Sequence, residues 1–204
     1  MRRIRSMMTI ALVLALAVMN GGCVLIPEFK DRIVELAVGG TSSAVFTVQG
    51  TTTAVDETQI VDVGSELNLA QILSDAGIDY ANVTDIKLTS VAYRIVRADP
   101  DPALEITNGT ITIQRGGGSV DPLVNGFTAA PGAVSGFQNV ALNATGVATI
   151  NTMLGDILAA LPGAPANPTA TFHLTGTSTG PTDFDFELKI TVSITGTVEV
   201  RVPT

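Results

Sequence analysis

The sequence predicts a mainly β protein, an antiparallel β-sandwich of about eight to ten strands with two helices. Thr, Val, Ala and Gly are abundant and only 15% of the residues are charged, a composition typical of short strands joined by turns. Residues 184–194 alternate apolar and polar side chains without interruption, which predicts a strand with one buried face. Two apolar stripes with helical spacing predict the helices, at about 68–76 and 145–161.

The start of the chain has the features of an export signal. Three arginines lie within the first five residues, and residues 7–19 are apolar apart from Thr9. This segment is too short for a helix to cross a hydrocarbon core, which takes about 20 residues. The basic start, the short apolar segment and the small residues Gly21 and Gly22 therefore predict a secretory signal peptide over residues 1–22.

Cys23 follows directly and is the only cysteine, so it has no disulfide partner within the chain. Gly21-Gly22-Cys23 behind a short apolar segment resembles the lipobox of bacterial lipoprotein precursors. The resemblance is limited to this segment. It implies that Cys23 receives a diacylglyceryl group, becomes the first residue after cleavage and is acylated on its new amine. Val24 stands where the family's inner-membrane retention signal has Asp, which implies the outer membrane.

An ordinary secreted protein is the alternative localisation, with cleavage after the Ala15-Leu16-Ala17 triplet. In the lipoprotein interpretation, residues 23–31 are a lipidated N-terminus and a short tether. Residues 32–204 then form a single sandwich-like domain. Because eight extended residues span at most about 28 Å, the domain is expected to lie close to its membrane.

The net charge and aromatic content of the chain limit the classes of partner that it is expected to bind. Of 11 Lys and Arg, three precede Cys23, so eight remain against 19 Asp and Glu, a formal net charge of −11. Nucleic acid is therefore not expected as a partner, because its phosphates would be repelled. The absence of Trp and the presence of only two Tyr also disfavour a carbohydrate-stacking role.

The first half of the domain is predicted to contain two strands, 32–38 and 44–49, joined by a turn at Gly39-Gly40. A longer strand follows at 85–97. Its apolar residues change parity near Ser90, which predicts a β-bulge or a strand that passes from one layer to another.

The second half contains further turn signals. Asn108-Gly109 between two apolar segments predicts a two-residue hairpin, and 121–136, rich in Gly, Pro and Ala, predicts a long loop. Gly196 is expected to break the last strand, since 184–202 in one piece would span roughly 60 Å. The predicted core includes Val45, Leu73, Tyr93, Ile111, Ile150, Leu154, Phe172, Phe186, Leu188 and Ile190.

One catalytic motif occurs in the wrong context. Residues 176–180 match the G-x-S-x-G nucleophile elbow around Ser178, which requires a strand before it, a helix after it and a later His. Here Pro181 and another strand follow, and the only histidine, His173, precedes the serine on the outward parity of its strand. A polar turn explains the motif better, and the sequence predicts a protein that is not an enzyme.

No metal or cofactor is expected. A zinc site needs three or four Cys, His or carboxylate ligands, and the chain has one His and one acylated Cys. Asp183, Asp185 and Glu187 place carboxylates on one strand face, and Asp99 and Asp101 lie in a loop. None of these carboxylates lies in the spaced, Gly-bearing loop of a calcium site, so solvated surface charge is the preferred interpretation. A calcium site near Asp99 and Asp101, or near Asp183 and Asp185, is left open.

Two functions from different classes follow. The first is a non-catalytic cell-envelope lipoprotein that acts through its surface as a structural, adhesive or assembly component. The second is a carrier on the periplasmic side that binds a lipid or another apolar ligand between the sheet and the helix at 145–161. A ligand-sized cavity beneath that helix would favour the carrier, and a filled core would favour the surface protein.

Overall fold

A computed structural model describes residues 29–99, 104–129, 136–165, 168–181 and 183–203. At 29–31, 97–99 and 201–203 it describes the backbone alone. Two four-stranded antiparallel sheets pack face to face, which confirms the predicted β-sandwich with two helical regions. Sheet A has the strand order β1-β8-β3-β6, and sheet B has the order β2-β7-β4-β5. The strands are β1 (Phe29–Val48), β2 (Ala54–Asp62), β3 (Val83–Asp99), β4 (Ile106–Arg115), β5 (Val120–Ala129), β6 (Gln138–Asn139), β7 (Thr169–Ser178) and β8 (Asp183–Pro203).

Both predicted breaks in the long strands of sheet A are wrong. The strand β1 continues through Gly39 and Gly40, and β8 continues through Gly196. Gly40 and Gly196 permit close approach of other side chains rather than turning the chain. A Cβ atom on Gly40 would lie 2.7 Å from the side chain of Ile72, and one on Gly196 would lie 2.6 Å from that of Ile78. A helical layer packs here against the inner face of sheet A, where a larger residue would collide with it.

The predicted hairpin at Asn108-Gly109 is also wrong, because β4 is one strand that includes both residues. Asn108 adopts φ 52°, and the pairing of β4 with β7 shifts register between Thr107 and Thr110. The pair therefore forms a β-bulge, in which Gly109 lies under the ring of Phe127.

The loop predicted at 121–136 is replaced over 120–129 by β5, while 130–135 lies outside the described residues. The edge position of β5 explains how Pro122 is accommodated, since a proline there removes no pairing on its free side. Leu123, Val124 and Phe127 are buried. Pro122 and Gly126 interrupt the apolar–polar alternation of this segment, so the sequence does not show a strand pattern. Gly116 and Gly117, both with positive φ, form the turn that precedes the strand.

The predicted irregularity near Ser90 is confirmed. Pairing of β3 with β8 shifts register between Leu88 and Ser90, which moves the apolar side chains from one parity to the other while both sets stay in the core. The strand predicted at 138–142 contains only the two-residue β6, which pairs with Ala92 and Tyr93 of β3.

The first helical region consists of α1 (Val63–Leu67) and α2 (Leu69–Ala76), joined at Asn68. The predicted helix and its end at Gly77 are confirmed. Asn68 precedes α2 as predicted, but its side chain makes no capping bond, because the residue also terminates α1 with φ 44°. Asp62 caps α1 instead, and hydrogen bonds from Ser65 hold the pKa of its carboxyl below the ordinary value.

The second helical region is α3 (Ala144–Ala160), again close to its predicted bounds. The side chain of Asn143 accepts a hydrogen bond from the backbone N–H of Thr145, so Asn143 is the cap. Within the helix, Asn151 accepts a hydrogen bond of 2.7 Å from the backbone N–H of Leu88 in β3. Thus α3 closes the side of the sandwich between β3 and β5.

The core is one hydrophobic cluster shared by both sheets and the helices. Nine of the ten predicted core residues are buried, and Val45 is the exception at 47% exposed. The prediction that Val45 is buried is wrong because it assigned the residue to the wrong face of the strand. Phe46 points inward on β1, and Val45 therefore points outward. Phe46, Tyr93, Phe127 and Phe186 form an aromatic cluster across the sheets.

The two long strands extend past the rest of sheet A. Beyond Gly196, β8 pairs only with β1, so Phe29–Leu36 and Gly196–Pro203 form a two-stranded ribbon. Ile33, Val34 and Val200 on this β1–β8 ribbon are exposed. Among the described residues, no helix is long and apolar enough to span a membrane.

Candidate functional site

Cys23, the predicted lipidation site, lies outside the described residues. The structure nevertheless places the point at which the preceding chain joins the domain. Phe29 is paired with Pro203 at the far end of the β1–β8 ribbon. The segment carrying Cys23 therefore joins the domain at the ribbon's end, away from the sheet-to-sheet core.

The structure does not bring Ser178 and His173 together. Both belong to β7, where His173 lies on the outer face of sheet B and Ser178 is buried, 4% exposed. Their separation of five positions corresponds to about 17 Å along a strand. The Ser178 hydroxyl lies 2.8 Å from the carbonyl oxygen of Gly180 and 3.2 Å from that of Thr53. It therefore donates to backbone carbonyls at a strand end, as the polar-turn interpretation expects.

His173 has a partner that the sequence did not reveal. Its Nε2 lies 2.5 Å from Oδ1 of Asp56 in the neighbouring strand β2. The two side chains are 38% and 77% exposed, so the pair lies on the surface. The hydroxyl-bearing residues around it on the outer face of sheet B are Thr58, Thr107, Thr110, Thr112, Thr171, Thr175 and Thr177.

The predicted carboxylates on β8 are distributed among separate partners. Asp183 Oδ1 accepts a 2.6 Å hydrogen bond from the backbone N–H of Gly50. Glu187 Oε2 lies 2.6 Å from Nε of Arg94. Within the described ranges, no three His, Cys, Asp or Glu residues are grouped so that they could hold a metal ion. The side chains of Asp99 and Asp101 lie outside the description.

The outer face of sheet A carries a second group that sequence reasoning missed. Phe137, just before β6, lies under two cations, with its ring centre 4.6 Å from Cζ of Arg94 and 4.1 Å from Nζ of Lys189. With the Arg94–Glu187 ion pair, these contacts leave Glu187 and Lys189 half-buried on the outer face of β8, the face on which the alternation at 184–194 places polar residues. No local pattern links Phe137 to β8, so this contact could not be predicted from the sequence.

The space beneath α3 is filled. Ile150, Met153, Leu154 and Ile157 on its inner face are between 0 and 2% exposed. The walls of a ligand-sized cavity would be accessible to a water-sized sphere, and these are not. The side chains under α3 therefore form packed core.

Two open clefts lie on the surface near the helices. A cleft of about 310 Å³ lies between the β4–β5 turn and α3, and Arg115, which lines it, forms an ion pair with Asp156 at 2.6 Å. Asp121 in the same cleft accepts a 2.5 Å hydrogen bond from Thr149. A second cleft of about 270 Å³, lined mainly by apolar residues, lies between α2 and the end of α3 near Leu161. Both volumes are at or below the lower limit of typical ligand pockets, about 300 Å³.

The fold and these surfaces define the class of the protein as a filled, two-layer antiparallel β-sandwich, with the described polar clusters on its outer faces. Comparison with protein-family models, with curated proteins and with solved structures found no match, so the class is assigned from the chain itself.

Proposed function

We propose that this protein is an exported lipoprotein of the cell envelope, acylated at Cys23. It acts without catalysis, through its surface, as a structural, adhesive or assembly component. Its partner in the membrane is the bilayer that holds the Cys23 lipid. The outer membrane is the proposed location because Val24, rather than Asp, follows the cysteine.

The observation on which this proposal mainly rests is the spacing between Cys23 and the domain. Strand β1 begins at Phe29, six residues after Cys23, at the free end of the β1–β8 ribbon. The ribbon extends about 27 Å for its eight residue pairs. A lipid on Cys23 would therefore hold the end of the ribbon next to the bilayer and leave the sheet faces directed into the surrounding compartment.

The packed core beneath α3 favours surface action over the carrier alternative. A carrier needs an enclosed apolar space, whereas Met153 and Leu154 have no exposed surface at all. Separation of Ser178 and His173 on opposite faces of β7 supports the non-catalytic part of the proposal.

The test of the anchor is the Cys23→Ser variant of the full chain. Membrane fractionation combined with acyl-group labelling is expected to show wild-type protein labelled and in the membrane fraction, and the variant unlabelled and soluble. Ser178→Ala serves as control and is expected to behave like wild type, since its hydroxyl contacts only the domain's own backbone. A wild-type chain that takes up no label, or a Cys23→Ser variant that stays with the membrane, refutes the lipid anchor.

A further inference from the structure

The β1–β8 ribbon carries a concentration of exposed apolar side chains. Beyond Gly196 its two strands pair only with each other. Ile33, Val34 and Val200 on the ribbon are 73%, 42% and 39% exposed, three of the eight large apolar side chains that are exposed within the described residues. Exposed apolar side chains that lie together mark a contact surface, whereas single scattered ones are normal.

The two faces of the ribbon differ in charge. Side chains alternate between the faces of a strand, and the even-numbered residues of both strands point into the core farther along, as Phe46 and Ile194 do. The described side chains on this inner ribbon face are those of Arg32, Val34, Leu36, Val198 and Val200. Those on the opposite face are Ile33, Glu35, Thr197 and Glu199. The inner ribbon face therefore has a basic residue and no acid, and the opposite face has two acids.

The inner ribbon face loses its cover toward the tip of the ribbon. Leu36 and Val198 are partly buried against the hydrophobic core. Val34 lies opposite Val198 in the register, and Val200 lies opposite Arg32 one step closer to the tip. Both Val34 and Val200 are exposed. The apolar surface of sheet A thus continues past the core and ends beside a cation.

The ribbon also differs in net charge from the rest of the protein. Of the 8 basic and 19 acidic residues that follow residue 22, its two strands contain three of each. The remaining residues carry five basic groups against 16 acidic ones, so they hold the whole net charge of −11. An anionic surface would repel the body of the domain and would not repel the ribbon.

The chain that precedes the ribbon determines what lies next to it. Phe29 follows Cys23 by six residues, which span at most about 20 Å when extended. A lipid on Cys23 therefore keeps the tip of the ribbon within that distance of a bilayer. Val24, Leu25 and Ile26 in this connection are all apolar, so the connection itself favours the membrane interface over water.

We propose that the inner ribbon face lies on the bilayer that holds the Cys23 lipid, with Val34 and Val200 in the headgroup region and Arg32 beside the lipid phosphates. An apolar face with a basic residue is the pattern by which peripheral segments lie in a membrane interface, and such a contact adds a second attachment to a lipid chain. The inference rests on the proposed lipid anchor and adds an orientation to it. The ribbon lies along the membrane surface, with Glu35 and Glu199 directed away from the lipid.

The experiment measures which face of the ribbon contacts lipid. The full chain is extracted from membranes in mild detergent and reconstituted into vesicles of equal parts phosphatidylcholine and phosphatidylglycerol. An environment-sensitive fluorophore is attached to Val34→Cys, whose thiol is the only free one once Cys23 is acylated. Its emission is expected to shift to shorter wavelength and to be quenched by lipids that carry a nitroxide near the headgroup. Acyl-group labelling of the same preparation reports separately on the anchor.

Two further label positions are matched controls. Ile33→Cys places the fluorophore on the adjacent residue but on the opposite face, and its quenching is expected to be several-fold weaker. Val45→Cys lies eleven positions farther along β1 than Val34, about 36 Å away, is similarly exposed at 47%, and is expected to show no quenching. Circular dichroism of the three variants is expected to match wild type, because each replaced side chain is exposed.

The outcomes separate the docking from the anchor. Water-like emission from Val34→Cys, in protein that carries the acyl label, overturns the docking and leaves the anchor intact. Quenching of Ile33→Cys that equals or exceeds that of Val34→Cys also overturns the docking, since the inner ribbon face is then not the one on the lipid. Protein that takes up no acyl label and does not associate with membranes overturns the anchor and the docking together.

Discussion

Gly146 of α3 lies directly against the backbone of Leu123 in β5. A Cβ atom on Gly146 would lie 2.7 Å from Cα of Leu123 and 2.5 Å from the carbonyl oxygen of Pro122. Backbone atoms of a paired strand have little freedom to move, so only glycine permits the helix to lie this close. The contact fixes α3 against sheet B and thereby closes the core beneath the helix.

Gly146→Ala is therefore expected to destabilise the protein by about 1–3 kcal/mol, the usual cost of overpacking. Alanine is the better helix former by about 1 kcal/mol, so the steric effect must overcome that gain. Gly155 in the same helix provides the control, because a Cβ there meets no atom within 4 Å. Gly155→Ala is expected to stabilise by up to about 1 kcal/mol. The urea midpoints of the two variants measure both changes in stability. If Gly146→Ala stabilised the protein as Gly155→Ala does, the close contact at Gly146 would be contradicted.

The strand β8 provides a test of the sheet's two faces. Leu188 has no exposed surface, and its truncation to Ala is expected to cost about 2–5 kcal/mol, since transfer and cavity terms add. Lys189 points to the outer face, where its ammonium lies over Phe137. Lys189→Ala is expected to cost about 0.5–1 kcal/mol, the size of an exposed cation–π contact. Equal shifts in the urea midpoints of the two variants would show that both faces of β8 are core.

Ser42 on the inner face of β1 provides a third prediction. It is 3% exposed, and its hydroxyl has no hydrogen-bond partner among the described residues. A buried hydroxyl that loses its water bonds without replacement is destabilising by about 1–3 kcal/mol. Ser42→Ala is therefore expected to raise the melting temperature. The adjacent Ser43 is exposed, so Ser43→Ala is expected to leave the melting temperature unchanged within error. A lower melting temperature for Ser42→Ala would mean that its hydroxyl is satisfied.

Ser178 provides the test of the non-catalytic proposal. Ser178→Ala removes a hydroxyl that donates to a backbone carbonyl and is expected to cost about 0.5–1.5 kcal/mol of stability. Esterase, glycosidase and peptidase screens are expected to find no activity that depends on Ser178 or on His173. A robust hydrolase activity that is lost in Ser178→Ala, while the variant remains folded, would overturn the proposal.

The candidate surfaces could be predicted from the sequence only in part. The outward parity of His173 and the poor context of Ser178 are local properties, and the structure agrees with both. The partner of His173 is Asp56, which lies far away in the chain and reaches it through the β2–β7 register. Phe137 likewise reaches Arg94 and Lys189 through folding alone. Pairings between distant strands leave no periodic trace in either segment.

The sequence by itself determined the elements whose signal is periodic. The alternation at 184–194, the parity change near Ser90 and the stripes of α2 and α3 each follow from repeated burial on one face, so a short window contains them. Tertiary structure decided what the glycines do. Gly40 and Gly196 resemble turn residues because glycine accepts turn conformations, yet they lie within strands beneath Ile72 and Ile78. The same residue type permits a turn or a close contact, and only the packed neighbour determines which.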